Sequence, residues 1–275
     1  MTHWKLTLAY DGTAFHGWQV QPNLPTIQGT LASTLRHITG ETVLPQGSGR
    51  TDTGVHALGQ VASFTLEAPI PAGNLLRALN RALPPAIRVL SAEPAAPSFH
   101  ARHSALRKTY EYRVFPRVPV ERRHPDAICP PFLAPYAWDC PWHICLDRAN
   151  RAAAHVVGEH DFTSFAATDP EVRSGEMEEP RSAIRRIFRS CWHAENGLIV
   201  YRVTGSGFLH HMVRNLVGTF VDAASGRTDP DAIPAILAAR NRAAAGQTAP
   251  ARGLFLLSVE YPAEYPPMDS LEGEP

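Results

Sequence analysis

Lysine is almost missing from this chain of 275 residues: of its 26 basic residues only Lys5 and Lys108 are lysine. Arginine's planar fork suits phosphates and stacked bases, although a GC-rich genome produces the same bias. Net charge is missing too, since 26 acidic residues balance the 26 basic ones. Taken alone, that balance argues against a polyanionic partner. No apolar run approaches the ~18 residues of a membrane span. The stretch from Met1 to Tyr10 lacks the basic, apolar and small-residue segments of a signal peptide. Only four cysteines occur (Cys129, Cys140, Cys145, Cys191), too few and too uneven for a disulfide scaffold. The expected compartment is therefore cytoplasmic. With 44% hydrophobic residues the chain has ample material for a core, in one large domain or two small ones.

Charge is distributed less evenly than its total suggests. Between Ala101 and Arg123 stand Arg102, Arg107, Lys108, Arg113, Arg117, Arg122 and Arg123, against only Glu111 and Glu121. Arg181, Arg185, Arg186 and Arg189 form a second cluster. Acids gather in one loop (Glu171, Glu176, Glu178, Glu179) and in the Pro-rich tail of 263–275, which is expected to be disordered. Local basic faces attract phosphates even in a neutral chain.

Periodicity predicts a strand over Trp4–Ala9, and a helix from a Thr26 cap through Ile38 to Gly40. Thr42–Leu44 is read into a second strand region, followed by a strand over Val61–Leu66. Asn74 is expected to cap a helix that stops before Pro84, and Ile87–Leu90 to be the next strand. The second half shows a related order. A strand over Tyr110–Phe115 precedes a helix over Asp147–Val157, and a hairpin turns at Glu195-Asn196-Gly197. An apolar helix over Phe208–Ala224, a short one over Pro230–Ala239 and a strand over Leu254–Tyr261 follow. Two similar strand–helix orders suggest an α+β fold of two ferredoxin-like halves, 1–105 and 106–262.

Three segments could carry chemistry. Gly47-Ser48-Gly49-Arg50-Thr51-Asp52-Thr53-Gly54-Val55-His56-Ala57-Leu58-Gly59-Gln60 contains a tight Gly-rich loop. It lacks the spacing of a phosphate-binding or dinucleotide loop. It presents one carboxylate, Asp52, between an arginine and a histidine; the residue could equally serve only the turn. Phe208-Leu209-His210-His211-Met212-Val213-Arg214-Asn215 puts Arg214 beside an apolar helix side, where a guanidinium needs a carboxylate. On a helix His210 and His211 point apart, which favours packing over metal ligation. In Lys108-Thr109-Tyr110-Glu111-Tyr112-Arg113 the two tyrosines share a strand face amid positive charge, as base stacking requires and as core packing also allows. Cys140 and Cys145 with His143 lack a matching second pair, and His100 with His103 lacks a carboxylate at ligand spacing, so no metal is expected.

Together these segments resemble the tRNA pseudouridine synthases that act at positions 38 to 40 of the anticodon stem-loop. The resemblance runs from Tyr10-Asp11-Gly12-Thr13-Ala14-Phe15-His16-Gly17-Trp18-Gln19, through the Asp52 block, Phe99-His100-Ala101-Arg102, the Lys108 block, Gly158-Glu159-His160-Asp161-Phe162-Thr163-Ser164-Phe165 and the Arg214 block, to Ala245-Gly246-Gln247-Thr248-Ala249-Pro250 and Gly253-Leu254. It implies an isomerase that breaks the uridine glycosidic bond, turns the uracil and rejoins it through C5, without cofactor or metal. It assigns Asp52 as the catalytic aspartate, Arg50 to holding the flipped nucleotide, and Tyr110 to stacking on the uracil. Arg214 becomes the partner of the aspartate and Leu254 an apolar wall of the pocket. It further implies halves joined in one antiparallel sheet with helices on one face and a central basic cleft. The partners it implies are tRNA and a second copy of the chain in a homodimer. Asn150 stands where the family often has methionine, and the 117–141 and 166–180 segments fit loosely. An RNA-binding protein with a structural Asp52, and a synthase for another uridine, are the rival readings.

Overall fold

The computed structural model describes residues 1–117, 127–167 and 182–263. The expectations for Glu121, Arg122, Arg123, Arg181, the acidic loop around Glu176 and nearly all of the tail fall outside the described residues. The chain divides into two compact units, Met1–Lys108 with the chain from Phe255 on, and Thr109–Leu254. This division places almost all of the last strand in the first unit, whereas halves of 1–105 and 106–262 would count it with the second.

In the first unit, β1 (Thr2–Tyr10) alternates, with Trp4, Leu6, Leu8 and Tyr10 buried. Helix α1 (Ile27–Thr39) begins where the Thr26 hydroxyl accepts from Gly29 N, and it ends at Gly40 in the left-handed region. Residues 42–44 form no strand; β2 is only Gln46–Gly47, because Val43 and Leu44 have no facing strand to cover them. β3 (His56–Leu66) starts five residues before the expected Val61. Helix α2 (Ala72–Ala82) starts after Pro71, and Asn74 lies inside it, bonding Arg77 rather than capping. Pro71 wins because a fixed φ and a missing N–H suit a helix entry. β4 (Ile87–Pro94) pairs antiparallel with β1, β1 with β3, and β2 with β3. β10 (Leu254–Glu260) runs parallel to β3, with Phe255 opposite His56.

The second unit orders its strands β5 (Arg107–Pro116), β9 (Leu198–Gly205), β8 (Ile184–Glu195) and β7 (Gly158–Asp161). β8 is antiparallel to both β9 and β7, and Asn196 and Gly197 take positive φ at the hairpin turn. β6 (Trp138–Cys140) pairs parallel with β5. Both units therefore contain a parallel pair, so the expected all-antiparallel pairing is corrected to a mixed one. A long connection before β6 and β10 allows the parallel geometry that a tight hairpin forbids. Helix α3 (Leu146–Ala154) packs on β8 and on α4 (Met212–Ala224), and α5 (Ile233–Ala239) follows.

Phe208–His211 is not helical: α4 begins at Met212, and His211 precedes it at φ +60°. His210 and His211 therefore do not point apart at helical spacing; their ring centroids lie 4.0 Å apart with the planes tilted by 37°.

Candidate active site

Asp52 is half-buried on the irregular stretch between β2 and β3, and Arg50 beside it is exposed. That stretch is clasped by the segment after β1. Trp18 N donates to Thr51 O (3.0 Å), Gly54 N to Phe15 O (3.4 Å), and Val55 N to Asp52 O (3.1 Å). The backbones meet so closely that a methyl on Gly12 would fall on the Val55 carbonyl, and one on Gly17 (φ +82°) would press on Thr51 O.

From behind, the loop hangs on Gln60, which is fully buried. Its Nε2 donates to Gly49 O (2.9 Å) and, more weakly, to the Tyr10 hydroxyl (3.4 Å). Its Oε1 accepts from Ser48 Oγ (2.6 Å) and Val61 N (3.2 Å). A buried carboxamide with both hydrogens and both lone pairs used fixes one geometry. Tyr10 hydrogen-bonds Thr51 Oγ1 at 2.9 Å, and burial pushes its phenol up to about 12. Lys108 closes the arrangement by donating to Ser48 O. Gln60 ends the Gly-rich segment and Tyr10 opens the first block of the resemblance, but neither takes a role there; a glutamine inside an otherwise apolar strand is the signal available.

His56 does not line the loop. It is buried at the start of β3, stacked on Phe255 at 4.7 Å. Its Nδ1 accepts from Gly12 N (3.1 Å), which puts the proton on Nε2. Asp11 Oδ1 lies 3.2 Å from the same nitrogen. That oxygen accepts from Thr13 N (2.9 Å) and Thr13 Oγ1 (2.6 Å).

The second unit carries Tyr110, Arg214 and Leu254. Tyr110 is buried on β5, and Phe208 meets its ring edge-on at 5.0 Å. Arg214, half-buried on the first turn of α4, pairs twice with Ala249: its Nε donates to Ala249 O (2.8 Å) and Ala249 N donates to its carbonyl (3.1 Å). The Tyr112 hydroxyl donates to Pro250 O at 2.7 Å, and burial raises that phenol well above its ordinary value despite the nearby Arg214 and Arg252 charges. Leu254 is buried, directly after Gly253, which lies against Tyr112. The segment 249–254 thus ties β5, Arg214 and Leu254 together inside one unit. Phe208 and Ala249 stand in segments that the sequence singles out, but the sequence gives neither a role.

The expected basic surface is partly neutralised. Arg113 binds Glu111 (2.8 Å), and Arg117 binds Asp139 through two nitrogens (2.7 and 2.6 Å). Arg186 and Arg189 on β8 are exposed. Cys140 is buried, which pushes its thiol up to about 11 and keeps it protonated at neutral pH.

A family model described as tRNA pseudouridine synthase matches residues 7–104 and 152–262. The chain belongs to the tRNA pseudouridine synthase family. A tRNA pseudouridine synthase A from Solibacter usitatus is 48% identical over 258 residues, which cover 94% of this chain and 98% of that protein. One from Moorella thermoacetica is 45% identical over 260 residues, with the same two shares. One from Bacillus subtilis is 40% identical over 259 residues, again covering 94% and 98%. The family match includes Asp52, Arg50, Arg214 and Leu254 and leaves out 105–151, where Tyr110 lies. Among the described residues no helix is long and apolar enough to cross a membrane.

Proposed function

We propose that this synthase converts uridine to pseudouridine at positions 38 to 40 of the tRNA anticodon stem-loop, with Asp52 as the catalytic carboxylate. The reaction breaks the bond between ribose C1′ and uracil N1, turns the base, and forms a bond between C1′ and C5. The C5 proton leaves, and N1 ends protonated. Nothing is oxidised and no group is lost, so the chemistry calls for no cofactor. The detached uracil must be held until it is rejoined. A buried aromatic ring braced edge-on, Tyr110, and an apolar side chain, Leu254, suit that task.

A base within a stem must first leave the stack, at about a few kcal/mol. Arg50, exposed one residue before Thr51, is placed by its chemistry to take a phosphate of the extruded nucleotide. In this reading Arg214 serves the Asp52 carboxylate. The family's two ferredoxin-like halves, its homodimer and a cytoplasmic location complete the proposal. The order β4-β1-β3 with β2 added on β3 supports the first of these for residues 1–108.

The observation that carries the reading is the backbone clasp around Asp52, which holds one carboxylate at a set position in a chain of this family. The test is tritium release from unmodified tRNA containing 5-tritiated uridine, with wild type and Asp52→Ala side by side. Release by wild type alone, from positions 38 to 40, is expected. Release by both variants removes Asp52 from the mechanism, and release from other positions alone removes the site assignment.

A further inference from the structure

Arg214 and Asn215 are neighbours on α4, and only one of them has a place in the reading above. Asn215 is fully buried. Its Nδ2 donates to Phe165 O at 2.8 Å, which assigns the other end of the carboxamide as the acceptor. That Oδ1 accepts from Thr248 Oγ1 (2.6 Å) and Arg242 Nη2 (3.0 Å). Arg242 Nη2 also donates to Thr248 Oγ1 (3.0 Å), so each of the three side chains touches the other two. Arg242 Nη1 reaches the strap before Thr248, donating to Gly246 O at 2.9 Å.

The strap of residues 245–250 is then pinned on both sides of Gln247. Gly246 N donates to Thr219 Oγ1 (2.9 Å), whose proton goes to Asn215 O (2.8 Å). A methyl on Gly218 would fall on the Gln247 carbonyl, so helix and strap touch backbone to backbone. One residue beyond Thr248 comes Ala249, whose carbonyl accepts from Arg214 Nε. A guanidinium is planar, and a bond at Nε fixes the plane in which its terminal nitrogens lie.

We propose that Arg242, Asn215 and Thr248 are positioning residues for pseudouridine formation, acting through the Ala249 carbonyl to set the guanidinium of Arg214. The inference rests on the reading of Arg214 as part of the active site. Losing one corner of the triangle lets the strap shift, and misplacement of a catalytic group by about 1 Å costs on the order of a hundredfold in rate.

The test is a mutant cycle read by tritium release. Thr248→Val keeps the shape and removes the hydroxyl; Thr248→Ser keeps the hydroxyl; Arg242→Lys keeps the charge and loses the fork. Thr248→Val and Arg242→Lys are each expected to lower kcat about tenfold or more, with KM for tRNA nearly unchanged, and Thr248→Ser to restore most of the loss. In an Arg214→Lys background, Thr248→Val should cost less than about twofold, because its route to the reaction is gone. Equal losses in both backgrounds show a merely structural role and overturn the inference. So does full activity of Thr248→Val and Arg242→Lys while Arg214→Lys is impaired, an outcome that leaves the reading of Arg214 standing. Full activity of Arg214→Lys and Arg214→Ala removes that reading, and the inference with it.

Discussion

The loop of residues 47–55 in the first unit and the strap of 245–250 in the second are both irregular backbone, yet different bonds immobilise them. The loop is held by main chain against main chain, by the neutral side chains of Ser48, Thr51, Gln60 and Tyr10, and by the Lys108 ammonium on Ser48 O. The strap shares backbone bonds with Arg214 and Arg242 and depends otherwise on side chains, one of them a partly buried guanidinium. Burial lowers the Arg242 pKa, and its carbonyl, hydroxyl and carboxamide acceptors offset that cost. Backbone clasps survive the loss of a side chain but tolerate no added atom. Side-chain networks fail donor by donor, because each lost partner leaves a buried group unsatisfied at about 1–3 kcal/mol.

The largest expected effect follows from the clasp. Asp52→Ala removes the proposed catalytic carboxylate and leaves the main-chain clasp in place, so turnover should vanish while tRNA affinity and melting temperature stay close to wild type. Filter binding and a thermal melt check this; a large fall in melting temperature would mean that the carboxylate helps hold its own loop. Next come the close approaches, which both regions share. Gly12→Ala and Gly218→Ala each put a methyl on a carbonyl oxygen, and each should destabilise by about 1–3 kcal/mol or more in urea titrations. Gly218→Ala should also lower activity by pushing the strap off α4. Equal stability of either variant with wild type would break the account of that region.

A smaller effect distinguishes the regions by pH. Burial raises the Tyr10 pKa from its ordinary 10.0 to about 12, so the folded state keeps the proton that the unfolded chain gives up. The stabilising contribution is present below pH 10 and is lost as pH rises from 10 to 12. Tyr112 is shifted in the same direction and adds to the fall. In urea titrations from pH 8 to 11.5, Tyr10→Phe should flatten part of the decline and leave the rest. An unchanged slope would remove Tyr10 from the alkaline transition. The smallest effect is local: Thr26→Ala, which loses the cap bond to Gly29 N, should cost about 1 kcal/mol in urea titrations with activity retained.

Elements whose signals are local were readable in the sequence. Thr26 and Gly40 bound α1, and Asn196-Gly197 turns the hairpin, because capping and turn formation use residues a few positions apart. β7 was not readable: Gly158-Glu159-His160-Asp161 is a short polar edge strand, ordered by its pairing with β8. β6 is three residues long, too short for alternation to register. Phe208–His211 looked helical because its apolar spacing continues that of α4, but the chain turns at His211 first.

The candidate site divides along the same line. The chemically distinctive residues, Asp52, Arg50, Tyr110 and Arg214, stand in blocks that a reader of the chain can recognise. Gln60, Asn215, Arg242 and Thr248 look ordinary in their segments, and decisive partners lie far away in sequence: Tyr10 for Gln60, Phe165 and Thr248 for Asn215, and Asn215 for Arg242.

Chain-local chemistry thus settled where helices and hairpins begin, which residue types can react, and the family they resemble. The fold decided which strands run parallel, which tautomer His56 adopts, and what holds the loop and the strap still. The physical reason is that a buried polar group must find a partner wherever one lies in space, and distance along the chain does not limit that search.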